Sequence, residues 1–416
     1  MRTKTYFMLL LLAAVILAAC TAGGAEPGAA PTVAPTAPVP EQATSEPAAE
    51  PTATVAPAEP EAAQAFCPEI ARPALILFHP ADQVLLFDPA SGESCALPIP
   101  GRYVGMVALT DRAYFSPAPA AAGASDELVI QRYLPDGTVD DLPYTRIGSG
   151  ASYTGFIVSG DSRLIAWGLI GPKAGTSQTT SRLRIANLET GALFGDVTPQ
   201  TDGQPRSLMP IRFDESGQTL FYSLQPYGIG GSWIAFNGRY DNLYAVATDG
   251  SGEPELIFDC ASKELFLCLG DFFTVDSAVT GLAYVDAQAS TVVVENGEGE
   301  VLNTLAVAEE YVGYPTWGPG GELVFYSADL AEVTDGPPAP AMGHLHRVAP
   351  HTAPAETLLS DPALVLPVGF LDDSRVVVNW FGEPETQAWG LALIGMDGSL
   401  EVLDAPAGTA VTGIVR

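Results

Sequence analysis

The chain has 416 residues, 49 acidic and 18 Lys or Arg, giving a formal net charge of −31 and a pI near 4.2. Nucleic acid and anionic membrane surfaces need basic patches, and no cluster of Lys or Arg occurs beyond the first few residues, so neither is expected as a partner. A hydrophobic content of 47% is enough for a sizeable core, and 42 glycines and 36 prolines cut the chain into short segments.

Residues 1–19 read as an export signal rather than as part of the fold. Arg2 and Lys4 give a basic start, and Met8 to Ala19 is an almost purely apolar run too short to span a bilayer comfortably. Leu17-Ala18-Ala19-Cys20 ends it with small residues and a cysteine. This arrangement resembles a bacterial lipoprotein signal. The resemblance implies cleavage before Cys20, lipid on its thiol, and anchoring to a bacterial cell membrane on the extracytoplasmic side. An ordinary secretory signal, the alternative, also places the chain outside the cytoplasm.

Residues 20–65 are almost entirely Ala, Pro, Thr, Glu, Gly and Val, without one aromatic residue. Such a stretch buries too little apolar surface to offset the entropy of ordering it, so a disordered tether is expected. The folded domain is then residues 66–416. Its apolar runs are four to seven residues long and end at Asp-Gly, Ser-Gly or Pro, with almost no helical periodicity, which predicts an all-β fold.

In chain order, the first unit holds Ala74 to Phe78, Gln83 to Phe87 and a short strand near Ala96 to Ile99, and it lacks an opening strand. The second runs from Val104 to about Pro143 and the third from Tyr153 to about Val197. The fourth opens on Pro210-Ile211-Arg212-Phe213 and continues through Leu220-Phe221-Tyr222-Ser223 to Asn242-Leu243-Tyr244. A fifth, around Val279 to Val307, is short and degenerate. The sixth and seventh open on Pro315-Thr316-Trp317 and Pro367-Val368-Gly369-Phe370. Four short strands per unit, repeated about seven times, is the pattern of a β-propeller, because one hairpin pair cannot bury its own apolar face.

The run Pro-x-Trp/Phe-x-x-x-Gly-x-x-Leu-x-Phe-x-Ser, then Leu-Tyr-x-Val and Asp-Gly, resembles the blade repeat of TolB-type, WD40-like (PD40) propellers. It is clearest in the units starting at Pro210, Pro315 and Pro367. Known members of that group include periplasmic partners of lipoproteins and propeller domains attached to peptidases. The terminal run Ala410 to Arg416 has no unit after it, so pairing with the first unit would close the ring and remove two open sheet edges. Seven four-stranded blades are expected on that count. Six is the alternative, should the thin unit near Val279 be an insertion.

With Cys20 assigned to lipid, four cysteines remain in an oxidising compartment, and two local disulfides are predicted, Cys67 with Cys95 and Cys260 with Cys268. No Cys-x-x-Cys spacing and no nearby histidine supports zinc instead. His344 and His346 alternate on a strand and so share one side, but no third ligand is identifiable, and no metal or other cofactor is expected. Asp136, Asp249 and Asp397 precede glycines and read as turn residues rather than calcium ligands.

Long excursions follow the second strand of each unit, at Pro117 to Asp126, Leu169 to Thr180, Gln225 to Asp241, Ala328 to Met342 and Phe381 to Gln387. In an up-and-down blade, connections of that class emerge on one face, where binding residues concentrate. The Gln225 to Asp241 loop carries Tyr227, Trp233, Phe236, Arg239 and Tyr240, residue types that anchor interfaces. The same side chains would equally serve as a local core folded over the blade rim.

No Gly-x-Ser-x-Gly, His-Glu-x-x-His or phosphate-loop signature is found, so no catalytic residue is assigned and no enzyme is expected. The reading is a lipid-anchored, monomeric propeller that binds or scaffolds an envelope protein or glycan. A surface hydrolase acting on carbohydrate or peptide, or a purely structural envelope component, are the alternatives.

Overall fold

The computed structural model describes residues 67–415, except 80–82, 98–102, 109–111, 118–126, 149, 173–178, 199–205, 227–237, 332–338, 362–363, 382–388 and 407–408. Cys20 and the expected signal and tether lie outside the described residues.

Seven four-stranded antiparallel sheets follow one another along the chain. Blades 2 to 7 span 103–141, 152–197, 206–259, 269–306, 311–361 and 364–403. Blade 1 takes three strands from 74–97 and its fourth from the end of the chain, where Ala410–Val415 pairs with Ala74–His79. The expected closure is therefore present, and the ring has seven blades. Blade 5 is complete, with strands Leu269–Val275, Ala278–Asp286, Thr291–Glu295 and Val301–Ala306. Its first turn uses Asp276 and Ser277, with φ of 48° and 69°, where blades 3, 4 and 6 place Gly160, Gly217 and Gly321.

The first strands of blades 2 and 3, 3 and 4, 5 and 6, 6 and 7, and 7 and 1 touch one another, which sets the first strands around the axis. All seven carry a bulge. Pairing with the second strand skips Val104, Thr154, Ile211, Gly270, Tyr314 with Pro315, Val368 and Thr412. A bulge bends a strand and increases its twist, which suits strands crowded at the centre of a disc. The repeat prolines acquire a reason: Pro210 and Pro367 immediately precede their bulges and Pro315 lies inside one, where the ladder needs no N–H donor. Crowding is tight at Gly270, where a Cβ would stand 2.1 Å from the Pro315 ring.

Seven apolar clusters fill the seven interfaces between blades. In blade 6, Leu323 and Phe325 pack toward blade 5 against Val285 and Val292. Val324 and Tyr326, one residue out of step, pack toward blade 7 against Val376 and Phe370. Successive side chains of a strand point to opposite sides, and here both sides are dry, so the strands read as continuous apolar runs. The interface between blades 7 and 1 is of the same kind, with Val377 and Leu391 against Leu75, Leu77 and the closing Val411.

The turns between third and fourth strands are built as read. Asp136, Asp249 and Asp397 accept the backbone N–H of Thr138, Ser251 and Ser399 at 2.8, 2.8 and 3.0 Å. The hydroxyl groups of Thr138, Ser251 and Ser399 first, and these backbone bonds second, hold the three carboxyls below their ordinary range. Both expected disulfides, Cys67–Cys95 and Cys260–Cys268, are formed. His344 and His346 do share one side of their strand, and each is taken up by hydroxyl groups. The His344 Nδ1 lies 2.8 Å from Ser360 Oγ. The buried His346 has Ser327 Oγ 2.7 Å from Nε2 and Thr357 Oγ1 3.3 Å from Nδ1, and it stacks on Phe325.

Burial lowers the His346 pKa to about 4, with Glu309 opposing and His344 reinforcing the shift. An unfolded histidine takes up its proton near pH 6.5, while His346 in the folded chain stays neutral down to about pH 4. The unfolded state therefore binds more protons in that window, and stability falls as pH drops through it, by up to about 3 kcal/mol. Denaturant unfolding followed from pH 7 to pH 4 should show this slope in the wild type, and His346→Gln should flatten it.

Candidate functional site

Loops between second and third strands and connectors between blades leave the same face of the ring, opposite the Asp-Gly turns. The middles of all five long excursions, with Tyr227, Trp233 and Phe236, lie outside the described residues. The returning arm of the Gln225 to Asp241 loop is described from Gly238 onward.

That arm is bound to the neighbouring blade. Gly238 N–H donates to Leu267 O at 3.0 Å, Tyr240 N–H donates to Leu269 O at 2.9 Å, and Leu269 N–H returns a bond to Tyr240 O at 3.0 Å. Glycine is required at 238, because a Cβ would fall 2.5 Å from Leu267 O and the Cys268 carbonyl carbon. Gln225 Nε2 closes the root of the loop by donating to Arg239 O at 2.9 Å.

From this bridge the Arg239 side chain reaches two blades further round the ring. Its Nη2 donates to Thr316 Oγ1 and to Pro367 O, both at 3.2 Å, on the innermost strands of blades 6 and 7. The half-buried Tyr240 instead packs into the apolar cluster of blades 4 and 5, where burial pushes its phenol above the ordinary range. Of the five aromatic and arginine residues singled out in this loop, the two that are described thus act as fasteners: one ties the loop to the axis, the other to the core.

Asp241 is buried behind them, accepting Leu267 N–H at 3.2 Å and facing Arg206 Nη1 at 3.4 Å. Desolvation raises its carboxyl pKa. Arg212 lies 3.8 Å over the Phe272 ring and donates to Phe272 O, and desolvation lowers its pKa while Asp271 opposes the shift. Around Tyr240 itself, the Arg239 and Arg212 guanidinium groups oppose the upward shift and the Asp271 carboxylate adds to it.

Beside this root runs the connector 260–268, joining blades 4 and 5 and closed on itself by Cys260–Cys268. Lys263 pins it: Nζ meets the buried Glu295 Oε2 at 2.7 Å and sits over the rings of Phe258 and Tyr284. Glu264 and Leu267 adopt φ of 61° and 43°, values that L residues rarely take. Between them Phe266 is 54% exposed. An aromatic ring held out on a cross-linked, strained connector is the feature that sequence reasoning missed. Its signal was Leu265-Phe266-Leu267 lying wholly between two paired cysteines, too hydrophobic for a solvated loop and too short for a strand.

Two serine–histidine pairs are present among the described residues: Ser360 Oγ with His344 Nδ1 links the fourth and third strands of blade 6, and Ser327 Oγ with His346 Nε2, where Ser327 has no exposed surface, is sealed inside the blade. The Ser327–His346 pair bridges strands and meets no solvent.

By class the chain is an all-β propeller of seven four-stranded blades with a closed strand seam. No protein-family model matches it, and a search of curated proteins found no match. Among solved structures it is similar to a prolyl endopeptidase, with TM-score 0.51 and 14% identity over 80% of this chain and 47% of that one. It is also similar to the acylaminoacyl peptidase of Pyrococcus horikoshii, with TM-score 0.47 and 10% identity over 78% of this chain and 48% of that one. The β-propeller domain of the Trilobed protease from Pyrococcus furiosus gives TM-score 0.46 and 10% identity over 78% and 91%. The chain spans about half the length of the two peptidases, and at these identities the likeness is one of fold.

Arg239→Met should release the loop root while leaving the blades intact. Hydrogen–deuterium exchange should speed up at Gly238 to Asp241 by about tenfold, in line with the loss of hydrogen bonds from a charged group, with exchange in the core strands of blade 6 unchanged.

Proposed function

We propose that this chain is a lipid-anchored, extracytoplasmic propeller of the TolB-type repeat class that binds a protein or glycan of the cell envelope with its long-loop face. The observation that carries the reading is the exposed Phe266 on the disulfide-closed connector, next to the tied root of the Gln225 to Asp241 loop. Exposed aromatic side chains on rigid supports are the groups that dominate binding energy, because little conformational entropy is lost when a partner covers them. The Leu17-Ala18-Ala19-Cys20 box and the tether-like stretch after it support the anchoring half of the proposal.

The two halves are tested separately in the full chain. Cys20→Ser should move the protein from the membrane to the soluble fraction and abolish incorporation of labelled fatty acid; unchanged fractionation would overturn the anchor. For the face, a photo-crosslinking residue at position 266 should trap a discrete envelope component, while the same residue at position 251, in the Asp-Gly turn of the opposite face, should trap none. Phe266→Ala should weaken capture about tenfold. Equal adducts from both positions, or none from 266, would overturn the binding reading.

A further inference from the structure

Between blades 2 and 3, on the same side of the ring as the long loops, lies a cavity of about 680 Å³. One wall is the third strand of blade 3, Thr179–Asn187. Thr180, Arg182 and Arg184, two residues apart, project to one side of it, while Leu183 and Ile185 pack on the other side against blade 4. The facing wall is the connector from blade 2, which brings Arg146 and Ile147. Leu169, opposite Arg182 in the ladder, and Pro172 make an aliphatic floor.

The charge pattern is what distinguishes this cavity. In a chain with 49 acidic and 18 basic residues, its charged lining among the described residues is three arginines and no carboxylate. The carboxylates stand behind the guanidinium groups and orient them. Arg184 meets Asp196 through Nε at 3.3 Å, and Arg146 meets Glu127 through Nη1 at 2.9 Å. Arg182 Nη1 forms a long ion pair with Asp196 at 3.6 Å, as Arg146 Nη2 does with Asp141 at 3.6 Å, both outside good hydrogen-bond distance. Among the described residues the lining holds no aromatic ring, so the body of a ligand would rest on aliphatic groups there.

From this arrangement we infer that the cavity is a binding site for a small organic carboxylate with an aliphatic body. The carboxylate lies between Arg182, Arg184 and Arg146, a threonine hydroxyl serves its polar edge, and the hydrocarbon covers Leu169, Ile147 and Pro172. A volume of this size accommodates a drug-sized ligand. Because the chain as a whole is strongly acidic, long-range attraction does not concentrate anions here, and recognition depends on short-range guanidinium geometry. The inference stands apart from the proposed long-loop partner and involves none of its residues.

Calorimetric titration of the full chain with adipate, its neutral counterpart adipamide, and sulfate tests it. Saturable binding of adipate, with adipamide and sulfate each at least about tenfold weaker, is expected. Arg182→Gln, at a partly solvated side chain, should weaken adipate by about tenfold, while Arg163→Gln, in the turn between the first two strands on the opposite face of the same blade, should leave it unchanged. Gly148→Leu gives a second, fold-neutral variant: Gly148 lines the cavity and its Cβ would meet nothing within 4 Å, so the new side chain fills the ligand space. Loss of binding in Gly148→Leu with unfolding temperature unchanged supports the site. Failure of adipate to bind, equal binding of adipamide or sulfate, or an unaffected Arg182→Gln variant overturns it.

Discussion

Everything in this molecule depends on the seam between the first and last strands, Ala74–His79 and Ala410–Val415. A blade is dry on both faces only if it has a neighbour on both sides, so an open array would leave two faces exposed, one of them lined by Leu75 and Leu77 and the other by Val377 and Leu391. Strand pairing at the seam brings those faces together and satisfies two edge strands at once. Val411 belongs to the closing strand and to the apolar cluster it completes, so hydrogen bonding and burial are gained in one step. The Cys67–Cys95 bridge lies at the start of the ring, where Cys67 joins the cluster between blades 1 and 2. For a loop of its length, the chain-entropy argument gives roughly 3 to 4 kcal/mol of stabilisation, placed where fraying would begin.

The two faces of the ring are finished by different chemistry. On one, tight turns are locked by Asp side chains that accept backbone N–H groups from two residues on, as at Asp136, Asp249 and Asp397, and leave little surface to vary. On the other, the chain crosses between blades and carries its long loops, and its fixed points are tertiary: Arg239 on two distant inner strands, Lys263 on Glu295, the Cys260–Cys268 bridge. Loops of that kind are positioned by the scaffold without being part of its periodic ladder, which is the condition under which a binding surface diverges while the fold persists.

Periodic features were legible in the sequence because each is a local signal. The blade runs, the seam, the Asp turns and the cysteine pairs all follow from neighbours within a few residues or from a count. Blade 5 was hard to read because Asp276 and Ser277 adopt positive φ without glycine, so the punctuation that marks the first turns of blades 3, 4 and 6 was missing. The ring of bulges was visible only as recurring prolines, whose meaning needs the pairing register. Arg239 looked like a loop residue offered to a partner, and nothing local reveals that Thr316 and Pro367, far along the chain, meet it across the ring. The arginine cavity combines Arg146 of the connector after blade 2 with Arg182 and Arg184 of blade 3, a juxtaposition that packing in the fold creates and no local pattern announces.

Both candidate surfaces sit at junctions between blades, and that has an energetic consequence. The connector 260–268 belongs to blades 4 and 5, and the arginine cavity is walled by blades 2 and 3. Inter-blade contact is what keeps each apolar face dry, so a ligand gripping two blades binds only the closed arrangement and stabilises it by mass action. The reverse also holds. A rigid ring presents such a ligand with two walls already at their final separation, so little ordering cost is left for binding to overcome. Closure at one seam, far from either surface, is thereby coupled to recognition at both, with no moving part required: opening the seam loosens the walls, and filling the walls resists the opening.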